Sequence, residues 1–236
     1  MLDRWMDLSL PIRDGMPVYP GDPPVSIRVA SRHETHGYEL RILSMGTHTG
    51  THLDAPVHFV PGGPPLSDLP PEAFLGRAFV VQTEIMPPMA DPAEWARLRL
   101  PPLPAGFSRG DILLLSTGWE TRAGTTACFD RIPRFVPGTG RALVAAGVRI
   151  LGLDLPTVRE EGPDGAAMHR ELLGAGILLV EGLVHLEGLL RAAGTCPFHF
   201  QALPLPIEGG DGCPVRALAG PLPAGRSRTG RTGGRT

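Results

Sequence analysis

The sequence contains no lysine, so all 22 basic residues among its 236 are arginine. Schiff-base chemistry needs a lysine amine, and its absence excludes enzymes that anchor pyridoxal phosphate in this way. The three cysteines stand at 128, 196 and 213, an odd number without a CxxC pair. This pattern argues against a disulfide framework and against a thiolate zinc site, and it suits a reducing compartment.

Long apolar runs are also missing. No segment approaches the ~18 apolar residues of a membrane span, and the first fifteen residues lack the apolar core of a signal peptide. We therefore predict a cytoplasmic protein with no membrane partner. Nucleic-acid binding would need basic residues clustered on a folded face, and no such cluster precedes residue 224.

The end of the chain differs from the rest in composition. Residues 224–236 hold four arginines and no acidic residue, which leaves the remainder more acidic than the overall formal charge of −2. Because this stretch has too little apolar surface to order itself, we predict a disordered tail. With 42% hydrophobic residues, the preceding 1–223 can form one domain with a substantial core.

The hydrophobic pattern predicts an α/β fold, a mixed sheet with flanking helices. Apolar runs rich in Val, Ile and Leu predict strands at 25–30, 40–45, 78–83, 112–116, 148–153, 177–180 and 198–203. Helices are predicted at 91–98, 140–146, 166–173 and 183–192. Helix and strand alternate in the C-terminal half, as in α/β proteins.

The segment HTGTHLDAPVH at 48–58 concentrates three imidazoles and a carboxylate in eleven residues. Glycine and threonine make it a poor helix, and in an extended chain His48, His52 and Asp54 would project to the same side. Pro56 would then turn the chain so that His58 faces back toward them. Imidazole nitrogen and carboxylate oxygen are ligands for zinc, manganese and related divalent ions.

Two further candidates lie far downstream. His169 falls in a predicted helix, and Glu181 follows a buried strand at its carboxyl end, where α/β proteins commonly place functional groups. Five ligands with two carboxylates exceed the needs of one tetrahedral ion, which suggests two metals bridged by carboxylates.

The same segment resembles the signature of the metal-dependent cyclase-like hydrolases, the family of bacterial kynurenine formamidase and isatin hydrolase. Further similar motifs are DLSL at 7–10, PVYPGD at 17–22, GDILLL at 110–115, GLDLPT at 152–157 and LPLP at 203–206. The resemblance implies a swivelling β/β/α-type fold and a homodimer or homotetramer.

The resemblance also implies a role for each candidate residue. His48, His52 and Asp54 would bind one metal, Asp54 and His169 a second, and Glu181 would bridge or complete the pair. His58 would be the general acid/base. The ions would be one or two Zn²⁺, with Mn²⁺ possible.

Two departures from the formamidase pattern concern the substrate. Formamidases have a pattern similar to PTWPGD, and Tyr19 replaces its tryptophan. An aromatic wall for an aryl substrate would therefore remain, with a smaller ring and an added hydroxyl. The loop LPTVREE at 155–161 differs from the formamidase pattern PSVDP.

We therefore expect a hydrolase of a small amide, lactam or ester, arylformamidase-like, that uses metal-bound hydroxide. The alternatives are an isatin-type lactam hydrolase, a cyclase or dienelactone-type isomerase that works without net hydrolysis, and a non-catalytic metal or ligand-binding protein. Its partner would be a small-molecule substrate.

Overall fold

The structure, a computed structural model, describes residues 2–87 and 95–223. Its strands, in chain order, are β1 (Met6–Asp7), β2 (Ser26–Ser31), β3 (Leu40–Ser44), β4 (His52–Asp54), β5 (Leu75–Gln82), β6 (Ile85–Met86), β7 (Arg97–Leu98), β8 (Ile112–Ser116), β9 (Arg134–Phe135), β10 (Ile150–Leu153), β11 (Leu178–Glu181), β12 (Phe198–Leu203), β13 (Gly212–Pro214) and β14 (Arg216–Gly220). The α-helices are α1 (His33–His36), α2 (Thr139–Ala146), α3 (Ala167–Gly174) and α4 (Leu186–Ala193).

Nine of these strands form one mixed sheet in the order β1-β14-β12-β5-β8-β10-β11-β4-β13. The central strands β5, β8, β10 and β11 are parallel, whereas the strands on either side pair antiparallel. The carboxyl end of β11 therefore lies beside β4, a short strand from the histidine-rich segment.

The parallel centre of the sheet is buried on both faces, which explains its solid apolar sequence. Alternate residues of β8 point to opposite faces: Ile112 joins a core with Leu189 of α4, while Leu113 joins a core with Leu172 of α3. Helices thus cover both faces of the centre and leave the strand ends to carry polar groups.

The predicted fold class, a mixed sheet with flanking helices, is confirmed. All seven predicted strands are present, and α2, α3 and α4 match three of the four predicted helices within a few residues. The helix predicted at 91–98 is wrong at its end, because Arg97–Leu98 form β7 and pair with β6 and β9. Residues 91–94 of that helix lie outside the described residues.

The predicted tail at 224–236 also lies outside the described residues, and the domain boundary at residue 223 stays a prediction. In the described ranges, no helix has the length and apolar character needed to cross a membrane.

Candidate metal centre

Two strands that are distant in sequence bring three of the predicted ligands together. His52 and Asp54 lie two residues apart on β4 and so share a face. Glu181, the last residue of β11, pairs in register with His52 across the antiparallel β4–β11 contact. All three side chains are buried, and Nε2 of His52 lies 3.4 Å from Oδ1 of Asp54 and 3.6 Å from Oε2 of Glu181.

His48 reaches the same group from a turn. The extended backbone expected from 48 to 54 holds only for β4, because Gly50 adopts a left-handed conformation with φ 64°. The turn still directs Nδ1 of His48 toward Oδ1 of Asp54, at 2.8 Å.

A close backbone approach fixes this turn against β11. Gly182, directly after Glu181, also has a left-handed φ of 66°, and a Cβ there would lie 2.6 Å from the carbonyl oxygen of Gly50. The Thr51 hydroxyl donates to the carbonyl of Gly182 at 2.6 Å. Glycine is needed at 182 both for its φ and for the space.

Pro56 turns the chain before His58, as predicted from the sequence. Pro56–His58 form one turn of 3₁₀ helix, and this turn returns the His58 imidazole to the cluster. Its ring stacks on the His48 ring with centroids 3.8 Å apart.

His169, the last of the predicted ligands, reaches the cluster from the buried face of α3. Its Nε2 lies 3.4 Å from Oε1 of Glu181, and its ring stacks on Phe59 with centroids 4.3 Å apart. The same Oε1 accepts a hydrogen bond from the backbone N–H of Val158 at 2.9 Å. The structure thus brings all six predicted metal and acid/base residues into one cluster.

The hydrogen bonds of His52 leave one ring nitrogen free for a metal. Its Nδ1 donates to the carbonyl of Gly50 at 3.0 Å, so Nε2 presents a lone pair toward Asp54 and Glu181. Orientation of a ligand imidazole by a backbone carbonyl is common at metal sites.

The donor atoms fit one or two divalent ions. Ligand atoms of His52, Asp54 and Glu181 lie within 4.8 Å of one another, and so do those of His48, Asp54 and His58. Asp54 belongs to both groups. Its Oδ2 and Nδ1 of His169 are buried without a hydrogen-bond partner, a costly arrangement unless an ion or solvent satisfies them.

Asp211 is a site residue that the sequence did not reveal. It lies in the turn before β13, and its Oδ2 is 3.1 Å from Nε2 of His48 and 3.5 Å from Nδ1 of His58. A proton on Nε2 of His48, donated to Asp211, would leave Nδ1 free for a metal. A single aspartate among glycines is typical of turns, so its sequence context carries no signal of this role.

The neighbouring Gly212 explains how His48 fits. A Cβ at this position would lie 2.4 Å from Cε1 of His48, so the missing side chain provides the space that the ring occupies.

The carboxylates shape the protonation of the site. Burial disfavours the imidazolium of His48, but Asp54 and Asp211 outweigh it and raise the pKa of His48 to about 9. Burial would raise the pKa of Asp54, but the hydrogen bond from His48 and the charges of the surrounding histidines lower it. Burial lowers the pKa of His58, which favours a neutral imidazole that can accept a proton.

The cluster opens into a cavity of about 540 Å³. Tyr19, the predicted substrate-binding residue, lies on its wall and packs edge-on against Phe129 with ring centroids 5.9 Å apart. Arg159 and Phe59 line the same cavity, so a small substrate entering it would meet aromatic, cationic and metal-ligating groups.

A comparison with protein-family models assigns the chain to a family. The model of the Cyclase family, described as "Putative cyclase", matches residues 6–159. The chain belongs to this family. The resemblance seen in the histidine-rich segment is therefore confirmed.

Relatives and solved structures agree with this assignment. A kynurenine formamidase of Geobacillus thermodenitrificans is 34% identical over 220 residues, covering 92% of this chain and 97% of the relative. A kynurenine formamidase of Salinibacter ruber is 33% identical over 218 residues, covering 90% and 95%.

Among solved structures, isatin hydrolase A from Ralstonia solanacearum shares the fold, with a TM-score of 0.72 and 24% identity over 92% of this chain and 91% of that one. A structure titled as a potential metal-dependent hydrolase with cyclase activity has a TM-score of 0.66 and 25% identity over 92% and 96%.

Proposed function

We propose that this protein is a metal-dependent hydrolase of a small amide, lactam or ester, with arylformamidase-like activity. The observation that carries the proposal is a cluster of five candidate metal ligands, Asp54 among them, that lies next to His58 at the edge of an open cavity. The relatives support an enzyme that hydrolyses an amide bond other than a peptide bond.

The family resemblance suggests how the clustered residues would divide between two ions. His48, His52 and Asp54 would hold one ion, while Asp54, His169 and Glu181 would hold a second. A divalent ion in such a site lowers the pKa of water and polarises a carbonyl. The mix of imidazole and carboxylate suits Zn²⁺, which we propose as the ion, and it also accepts Mn²⁺.

His58 is placed to move protons. Its side chain is 26% exposed, whereas those of His52 and His169 are each 5% exposed, so it faces the cavity more than the inner ligands do. A neutral His58 can take a proton from water and return it to the leaving nitrogen or oxygen. Oδ2 of Asp211 lies 3.5 Å from its Nδ1, so Nε2 is the nitrogen proposed for this exchange.

Geometry alone also permits His58 as a ligand, since it belongs to one of the two metal-competent groups. Its greater exposure favours the acid/base role. Metal content after substitution of His58 separates the two roles.

The cavity wall favours an aromatic substrate. The rings of Tyr19 and Phe59 line it, and flat rings stack favourably on such walls. We therefore place aryl formamides first among the candidate substrates.

The test is metal analysis of the purified protein followed by hydrolysis assays on N-formylkynurenine, isatin and formanilide, with and without a chelator. We expect one or two equivalents of zinc, conversion of isatin to a product heavier by one water, and release of formate from N-formylkynurenine and formanilide. A product of unchanged mass would support a cyclase or isomerase instead. Activity that survives complete metal removal would contradict the proposal.

We also propose that the protein forms a homodimer or homotetramer, with a small molecule as substrate. Support comes from large apolar side chains exposed on β3 and after β12, including Leu43 at 55% and Leu205 at 66% exposure. Sedimentation analysis tests this, and a monomer at micromolar concentration would contradict it.

A further inference from the structure

Arg159 lines the cavity but has no part in the metal-binding and acid/base roles proposed above. It lines the same cavity as His52, His58 and His169. Its guanidinium donates to the hydroxyl oxygen of Tyr19 and lies 5.9 Å from the centroid of that ring. Because the Tyr19 oxygen accepts this bond, its own proton is free to be donated to a third group.

The backbone holds Arg159 in a fixed position relative to the metal ligands. The preceding residue, Val158, donates its N–H to Glu181 at 2.9 Å. The carbonyl of Arg159 accepts from the N–H of Phe135 at 2.7 Å. The arginine therefore extends from a segment that is anchored on both sides.

The carboxylates near Arg159 in sequence are engaged elsewhere. Glu160 accepts from the backbone N–H of Gly140 at 3.4 Å, and Glu161 forms an ion pair with Arg97 at 2.5 Å.

A carboxylate in the cavity wall itself is also paired with another arginine. Asp164, which also lines the cavity, pairs with Arg170. Across the described residues, no carboxylate pairs with Arg159.

A half-buried guanidinium without a counter-ion lies beside a hydroxyl that can donate. An arginine fork matches the two oxygens of a carboxylate better than any neutral group does. A neutral aryl formamide would leave this charge unmatched, whereas an anionic one would pair with it.

We propose that Arg159, together with the hydroxyl of Tyr19, binds an anionic group of the substrate and selects aryl amides that carry a carboxylate. The inference rests on the proposed function and narrows its substrate class. Arg159 is thus a specificity-determining residue, and the reacting carbonyl would meet His58 and the ligand cluster, which line the same cavity.

The kinetic test compares substrates that differ only in charge. The 2- and 3-formamidobenzoates are assayed against the corresponding formamidobenzamides on the zinc-loaded enzyme. We expect wild type to prefer a benzoate at least tenfold in kcat/KM, and Arg159→Gln to reduce this preference by roughly 10–100-fold, since hydrogen bonds to charged groups have this magnitude. Arg159→Lys should recover only part of it, because lysine lacks the fork.

The matched control is Arg109→Gln. Arg109 is exposed and its guanidinium donates to the carbonyl of Ala145, so this variant removes the same charge away from the cavity. It should keep the wild-type preference. Equal losses for benzoates and benzamides in Arg159→Gln, or no preference in wild type, would overturn the inference.

A binding measurement separates this inference from the proposed function. Calorimetric titration of the zinc-loaded protein with anthranilate and with 2-aminobenzamide needs no turnover. If no amide is hydrolysed, the proposed function fails, and the inference is then decided by binding alone. At least tenfold weaker anthranilate binding to Arg159→Gln than to wild type supports the inference, and equal affinity refutes it.

Discussion

Replacing Gly182 by alanine would test how the ligand cluster depends on the contact between the 48–51 turn and β11. The new Cβ would lie 2.6 Å from the Gly50 carbonyl oxygen and 3.2 Å from its carbon. Both are backbone atoms, so neither can move aside by a side-chain rotation. The Gly50 carbonyl accepts the bond that orients His52, and its displacement would release that imidazole.

The magnitude follows from two separate costs. Alanine at a φ of 66° costs roughly 1–2 kcal/mol, because Cβ crowds the carbonyl in the left-handed conformation. Overpacking typically adds about 1–3 kcal/mol. We therefore expect the free energy of unfolding to fall by about 2–5 kcal/mol, and metal affinity to fall by about 10–100-fold through the loss of ligand orientation.

Gly176→Ala is the matched control. Gly176 has a left-handed φ of 79°, yet a Cβ there would meet no atom within 4 Å. It should show only the conformational cost, about 1–2 kcal/mol, and unchanged metal affinity.

The two variants are compared by urea denaturation of chelator-treated protein and by zinc competition against a chromogenic chelator. If Gly182→Ala behaved like Gly176→Ala in both measurements, the backbone contact would have no role in holding His52.

The remaining predictions concern the side chains of the cluster. His58→Ala should retain its metal but lose about 10²–10⁴-fold in kcat, by activity and metal analysis; a loss of metal would make His58 a ligand. Asp54→Ala should lose its metal, because both metal-competent groups include this carboxylate, and a full metal content would contradict the assignment. Asp211→Asn should weaken zinc binding by about 10–100-fold in chelator competition, since it no longer fixes the His48 tautomer, and unchanged affinity would remove that role. Because the pKa of His48 is raised to about 9, zinc binding at pH 7 should release a proton, measured by calorimetry in buffers of different ionisation enthalpy; identical heats would refute this. Without a metal, the raised pKa of His48 stabilises the fold fully below pH 6.5, and this contribution is lost as pH rises through about 9.

Much of the fold and of the cluster is predictable because the signals are local. The buried central strands have solid apolar sequences, and Glu181 is the last residue of one of them. His52 and Asp54 share a face by strand periodicity, and Pro56 does turn the chain toward the cluster.

The missed features depend on contacts between distant segments. β4 and β13 have three residues each; β4 pairs with β11 on one side and with β13 on the other, and no local pattern encodes this pairing. His48 reaches the cluster through a turn at Gly50, whose left-handed backbone packs closely against Gly182. Asp211 enters the site through the same strand pairing.

The short strand β4 joins the parallel centre of the sheet to its last strand, β13, and it also holds two of the proposed ligands. An ion held by Asp54 of β4 and Glu181 of β11 would therefore act as a cross-link between neighbouring strands as well as a cofactor. Without the metal, local unfolding would begin where β4 separates from β11. A cell short of this metal would then lose the polypeptide to proteolysis along with its activity.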